Sequence, residues 1–148
     1  VKISKWSQPL DFSVEQMFDL AAGIEDYPRF LRGWIEVRVL ERTAEDCHVE
    51  QVLGFGPMRL RFRSRGVLHR PKRIDVSSTE APFRHFSLAW QFEPAGSGCR
   101  VRIEMDVQLL SRLTQALVER ILPAEVDEFM SSFEARARQI YAPHGSVR

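Results

Sequence analysis

The chain of 148 residues is the length of one domain, residues 1–148, and 44% hydrophobic with 28% charged residues excludes a disordered chain and a membrane-spanning one. At this size folding removes roughly 70% of the unfolded chain's surface from water, enough for a core without covalent staples. Two cysteines, Cys47 and Cys99, exclude a disulfide framework and a cysteine-rich zinc site, and the net charge of +1 is a sum of opposed blocks: residues 11–50 carry four bases against ten acids, residues 51–103 ten bases against three acids. Asp11, Glu15 and Asp19 fall where a signal peptide needs an acid-free stretch. The expectation is a cytoplasmic protein in a reducing compartment.

In chain order, residues 2–8 read as a short strand. Ser13 and Gln16 then form a capping box, and Val14, Met17, Phe18 and Ala21 recur at helical spacing, so a helix is predicted over 14–22. Asp26-Tyr27-Pro28 is expected to turn the chain, because a residue before proline is pushed away from the helical region, and a short helical turn is expected at Arg29–Leu31. From Trp34 the period changes to two. Six alternating runs follow, joined by short links at Glu45-Asp46, Gly54–Pro57, Pro71-Lys72 and Pro94–Gly98. Links this short suit antiparallel neighbours, since parallel ones need long crossovers.

The last segment, 112–141, carries Leu113, Ala116, Leu117, Arg120, Ile121, Ala124, Phe129, Met130, Phe133, Ala137, Ile140 and Tyr141 at helical spacing. Pro123 is expected to kink or break this helix, and Pro143 with Gly145 to end it. Thirty helical residues reach ~45 Å and need a broad apolar surface to lie on. The one apolar face of an antiparallel sheet supplies it.

Between 58 and 65 the sequence alternates Arg59, Arg61, Arg63 and Arg65 with Met58, Leu60, Phe62 and Ser64. On a strand, all four guanidinium groups leave one face. This basic surface either pairs with acids on a neighbouring strand or faces anions, the headgroups of an anionic membrane or RNA phosphates.

The order strand, short helices, six strands, long helix resembles the START-like (SRPBCC) proteins of the polyketide cyclase/dehydrase superfamily. The blocks that carry the resemblance are Ser13-Val14-Glu15-Gln16-Met17-Phe18-Asp19-Leu20, Tyr27-Pro28-Arg29-Phe30-Leu31, Ala81-Pro82-Phe83-Arg84-His85-Phe86 with Trp90 and Phe92, Cys99-Arg100-Val101, and Phe133-Glu134-Ala135-Arg136-Ala137. More narrowly, the chain is similar to the coenzyme Q-binding protein family and to bacterial ribosome-association toxins, and departs from them at Glu80-Ala81, where they usually read Asp-Gly. The resemblance implies an α+β helix-grip fold, a sheet of about seven antiparallel strands wrapped around the C-terminal helix. It also implies lipid binding: ubiquinone or a similar isoprenoid held between sheet and helix, in support of respiration. Its alternative is binding to the large ribosomal subunit so that subunits fail to associate.

The residues themselves are compatible with a cavity of this kind. Ligand sites are concave and mostly apolar, and Phe30, Trp34, Leu60, Phe62, Phe83, Trp90, Phe92, Met105, Phe129 and Phe133 are the candidate ligand-binding residues. Quinone rings stack on aromatic faces, and each CH₂ of a buried tail is worth ~0.8 kcal/mol. Tyr27–Leu31 either packs locally at the start of the second strand or acts as a lid.

The search for catalytic residues finds none: no nucleophile elbow, no phosphate-binding Gly-rich loop, no His-Glu-x-x-His. His48, His69, His85 and His144 share no metal-ligand spacing, and Glu104 with Asp106 reads as a solvent-facing pair countering arginines. The expectation is a binder with no resident cofactor or metal, working in the cytoplasm or peripherally at the inner membrane. A polyketide cyclase or dehydrase remains the second alternative, with Gln51 and Ser64 as polar groups for such a cavity.

Overall fold

The computed structural model describes residues 1–146, with side chains described as far as Tyr141. Seven strands, β1 Lys2–Trp6, β2 Trp34–Arg42, β3 Asp46–Phe55, β4 Met58–His69, β5 Arg73–Ser78, β6 Phe83–Ala95 and β7 Gly98–Leu109, form one antiparallel sheet in the order β1-β7-β6-β5-β4-β3-β2. Strands β2 to β7 are a continuous meander, and β1 adds to the edge beside β7. Helix α1, Val14–Ala22, and a 3-10 helix, Ile24–Arg29, lie between β1 and β2, and the long helix α2 spans Arg112–Ser146. This is the helix-grip arrangement the sequence predicts.

Local chemistry accounts for the boundaries. The Gln16 amide donates to Ser13 Oγ at 3.0 Å while the Ser13 amide donates to Gln16 Oε1 at 2.9 Å, so two otherwise orphan donors of α1 are satisfied together. Phe55 pairs with Met58 and Ala95 with Gly98, leaving the two-residue turns Gly56-Pro57 and Gly96-Ser97. Gly56 and Gly96 have φ of 56° and 58°, in the left-handed region that tight hairpin turns demand. At Gly98 a Cβ would stand 1.7 Å from the Leu10 carbonyl oxygen, because the chain leaving β1 runs against β7 there.

The short helical turn is displaced from its expected place. It begins at Ile24 and ends at Arg29, where the sequence reading started it, and Tyr27-Pro28 lies inside it. Tyr27 explains the difference: its ring is buried and its hydroxyl donates to the Ala21 carbonyl, so the gain from burial outweighs the pre-proline preference.

Helix α2 runs without a break through Pro123 and past Pro143 and Gly145. Its C-terminal half buries Phe129, Met130, Phe133 and Ala137 as predicted. The N-terminal half is rotated from the expected stripe. Val118, Leu122 and Val126 are buried, while Ala116, Arg120 and Ala124 face outward and Leu113 is 86% exposed. Both sets recur every four residues, so periodicity alone does not choose between them; the phase is set by the Phe129–Phe133 anchor further along the same helix.

Candidate functional site

The concave face of the sheet presents Cys47, Val49, Gln51 and Leu53 of β3, Leu60, Phe62 and Ser64 of β4, Ile74 of β5, Phe86, Leu88, Trp90 and Phe92 of β6, and alternate residues of β7. Two spaces remain between this face and the helices. An α2-side cavity lies among Leu31, Trp34, Leu53, Phe55, Met105, Leu122, Val126 and Phe129, with Arg32, Glu125 and Glu128 at its rim. An α1-side cavity lies among Ala21, Ile24 and Tyr27 on one wall and Val49, Leu68, Ile74, Phe86, Leu88 and Trp90 on the other. Both are partly open to solvent, and their volumes are about 30 Å³ and about 40 Å³, room for a water or two. In this conformation the interior is therefore nearly full.

Of the ten predicted ligand-binding residues, Trp34, Trp90, Met105 and Phe129 line a cavity. The other six do not, because they complete the packing. Phe62, Phe83 and Phe86 form a cluster with ring centroids 4.6–5.2 Å apart, Phe92 stacks on Trp90 and meets Phe18 edge-on, Phe133 sits 4.9 Å from Trp90, and Leu60 is buried. Phe30 is half-buried beneath the Arg136 guanidinium, 5.3 Å from its ring centre. The stretch Tyr27–Leu31 divides between the spaces, with Tyr27 walling one and Leu31 the other.

Trp34 belongs to both cavities and stands between them. Tyr27 meets its ring edge-on at 5.5 Å, and Phe129 lies tilted against it at 5.1 Å. The indole Nε1 donates to Gln51 Oε1 at 3.2 Å, and Gln51 Nε2 donates to Ser64 Oγ at 2.8 Å. Gln51 and Ser64, 3% and 5% exposed, are the polar side chains of the α1-side cavity and match the polar groups read from the sequence. Tyr27 and Leu31, read from the sequence as a local packing motif or a lid, prove to be wall residues, and Val126, which the sequence reading passed over, is in the mis-phased half of α2.

Two bidentate ion pairs tie the segment over the α1-side cavity to the rest of the molecule. Arg70 grips Asp19 with two bonds of 2.9 Å, and Arg42 grips Glu25 at 2.7 and 3.0 Å. Arg42 holds the Glu25 carboxyl below its ordinary value, and Glu25 in turn raises the guanidinium.

On the convex face the four arginines of β4 project outward as predicted, but they are not bare. Arg61 lies 3.4 Å from Glu36 and 3.6 Å from Glu50, Arg63 3.8 Å from Glu50, and Arg65 2.9 Å from Asp46. Arg65 lowers the Asp46 pKa. Among the described residues Arg59 has no acidic partner. Glu104 pairs with Arg102 at 3.2 Å, as a charge-countering acid should, whereas Asp106 is largely buried and faces His85 at 3.6 Å rather than solvent.

The family model described as "Polyketide cyclase / dehydrase and lipid transport" matches residues 10–134. The chain belongs to this family. Within this START-like superfamily, a ribosome association toxin RatA of Escherichia coli K12 is 24% identical over 132 residues, covering 88% of this chain and 84% of that protein. The mitochondrial coenzyme Q-binding protein COQ10 homolog B of Xenopus laevis is 27% identical over 140 residues, 91% of this chain and 57% of that longer protein. Among solved structures, the Zhui aromatase/cyclase from Streptomyces superposes with a TM-score of 0.84 at 12% identity, covering 96% of this chain and 97% of the other. At that identity the likeness is one of fold.

Proposed function

We propose that this START-like chain binds a hydrophobic isoprenoid lipid, ubiquinone being the ligand that best fits the reading, between the sheet and α2, and that it serves respiratory electron transfer without catalysing a reaction. The observation that carries this is the pair of apolar cavities around Trp34, walled by aromatic and aliphatic side chains. Likeness to the COQ10 homolog supports the choice of ligand. Because the cavity volumes are far below the ~300 Å³ of the smallest ordinary ligand sites, binding requires the walls to part. The reading requires a protein that meets the inner membrane from the cytoplasmic side. No described helix is long and apolar enough to cross it. Organic extraction of the purified protein followed by mass spectrometry is expected to release an isoprenoid quinone. A protein that carries none and takes up none from ubiquinone-loaded vesicles overturns the proposal.

A second reading, binding to the large ribosomal subunit, is favoured by the relatives named as ribosome association toxins. It predicts cosedimentation with that subunit that falls steeply as salt rises. Since Arg61, Arg63 and Arg65 already face carboxylates, Arg59 carries the prediction: Arg59→Glu is expected to weaken cosedimentation, and an unchanged profile counts against this reading.

A further inference from the structure

The α1-side cavity contains no charged side chain, yet it contains a hydrogen-bonding chain that ends in an unspent donor. Trp34 Nε1 donates to Gln51, and Gln51 donates to Ser64 Oγ. Among the described residues the Ser64 proton has no acceptor, and the second Gln51 amide proton has none either. Buried donors are normally satisfied, and leaving one unmade costs stability. Two of them at the edge of an unfilled apolar space have the form of an oxygen-binding corner. With no countercharge nearby, the oxygen they suit is neutral, a carbonyl or hydroxyl, and not a carboxylate or phosphate.

The other cavity has the opposite character. Its walls are apolar, and the charged side chains Arg32, Glu125 and Glu128 stand at its rim. Trp34 is the one residue common to both linings, its indole held by one hydrogen bond of 3.2 Å, an edge contact with Tyr27 and a tilted contact with Phe129. We propose that the two cavities are halves of one elongated site, in which a neutral carbonyl or hydroxyl oxygen of the ligand accepts the Ser64 proton while its apolar chain passes the displaced Trp34 indole toward the Arg32 rim. This rests on the lipid-binding reading above and adds which end of the ligand lies where. Trp34 becomes a specificity residue, since a ligand too short to need the second cavity leaves it in place.

The test uses the full chain and three probes, followed by native mass spectrometry and calorimetry: a benzoquinone with a decyl tail, the same ring without the tail, and decylbenzene. Wild type is expected to bind the tailed quinone most tightly. Ser64→Ala is expected to weaken the tailed quinone about fivefold, the size of one neutral hydrogen bond, and to leave decylbenzene unchanged. Ser64→Thr, which keeps the hydroxyl, is expected to bind like wild type. Trp34→Phe, which removes the bond to Gln51 and narrows the partition, is expected to favour tailed over tailless quinone by a further fivefold or so. Equal loss of both tailed probes in Ser64→Ala, or no loss in either, overturns the oxygen corner. A Trp34→Phe effect that ignores tail length overturns the shared site. If no probe binds wild type, the lipid-binding reading itself falls and this proposal with it.

Discussion

Cys99 has no exposed surface, and burial pushes its thiol up to about 11. The thiolate is the reactive form, so at pH 8 native Cys99 is expected to escape iodoacetamide for as long as the core stays shut, and to label fully once denatured. Peptide mass spectrometry checks this, and rapid native labelling would mean that the β6–β7 side of the core opens readily. Trp90 tests packing at the same scale: fully buried and in contact with Phe92, Phe129 and Phe133, it is expected to cost about 3–5 kcal/mol on replacement by alanine, read by chemical denaturation. Its burial was legible in the sequence because alternation on a strand names the inward face. The cavity beside it was not. Periodicity says which side chains point inward, but whether they meet or leave a gap depends on how far apart sheet and helices stand. Hence Phe62 and Phe83, read as ligand contacts, pack against each other, while the polar Gln51 and Ser64 border the space.

At the scale of elements, α1 and the 3-10 helix form a flap over the α1-side cavity, fastened by Asp19–Arg70 and Glu25–Arg42. Both pairs are substantially exposed and add little beside the burial of Met17, Phe18, Leu20, Ala21 and Tyr27, which holds the same segment to the core. Glu25 has a lowered pKa in the folded protein, so its pair stabilises in full above the ordinary value of 4.5 and is lost as pH falls through the lowered one. Amide exchange across Ile24–Arg29, measured by mass spectrometry and corrected for intrinsic rates, is expected to accelerate as pH drops below 4.5 and, at neutral pH, on replacing Glu25 with glutamine. Protection that ignores both changes would mean that Tyr27 burial alone holds the flap. The start of α1 was readable from Ser13 and Gln16 because a capping box is local. The rotation of the N-terminal half of α2 was not, since only distant packing chooses between two equally regular stripes.

For the whole molecule, a single core shared by the sheet and both helices should unfold in one cooperative step. A ligand confined to the folded interior then raises stability by mass action, about 2.7 kcal/mol at a hundredfold excess over its dissociation constant. Calorimetry with and without ubiquinone is expected to show one transition moving to higher temperature; a shift absent at saturating quinone would place any contact on the surface of both folded and unfolded chains.

The sheet order also fixes a sequence of events in time. Strands β3 to β7 each pair with the strand made just before, but β1, made earliest of the seven, has β7 as its partner. During synthesis β1 must therefore wait until about Asp106 is available, and until then its own backbone hydrogen-bonding groups have no strand to pair with. The α2-side cavity stays without a complete lining over the same interval, because Met105 of β7 and all of α2 arrive last, whereas every residue lining the α1-side cavity has been made once the chain reaches Trp90. A newly made chain therefore holds the lining of one half of the proposed site well before that of the other.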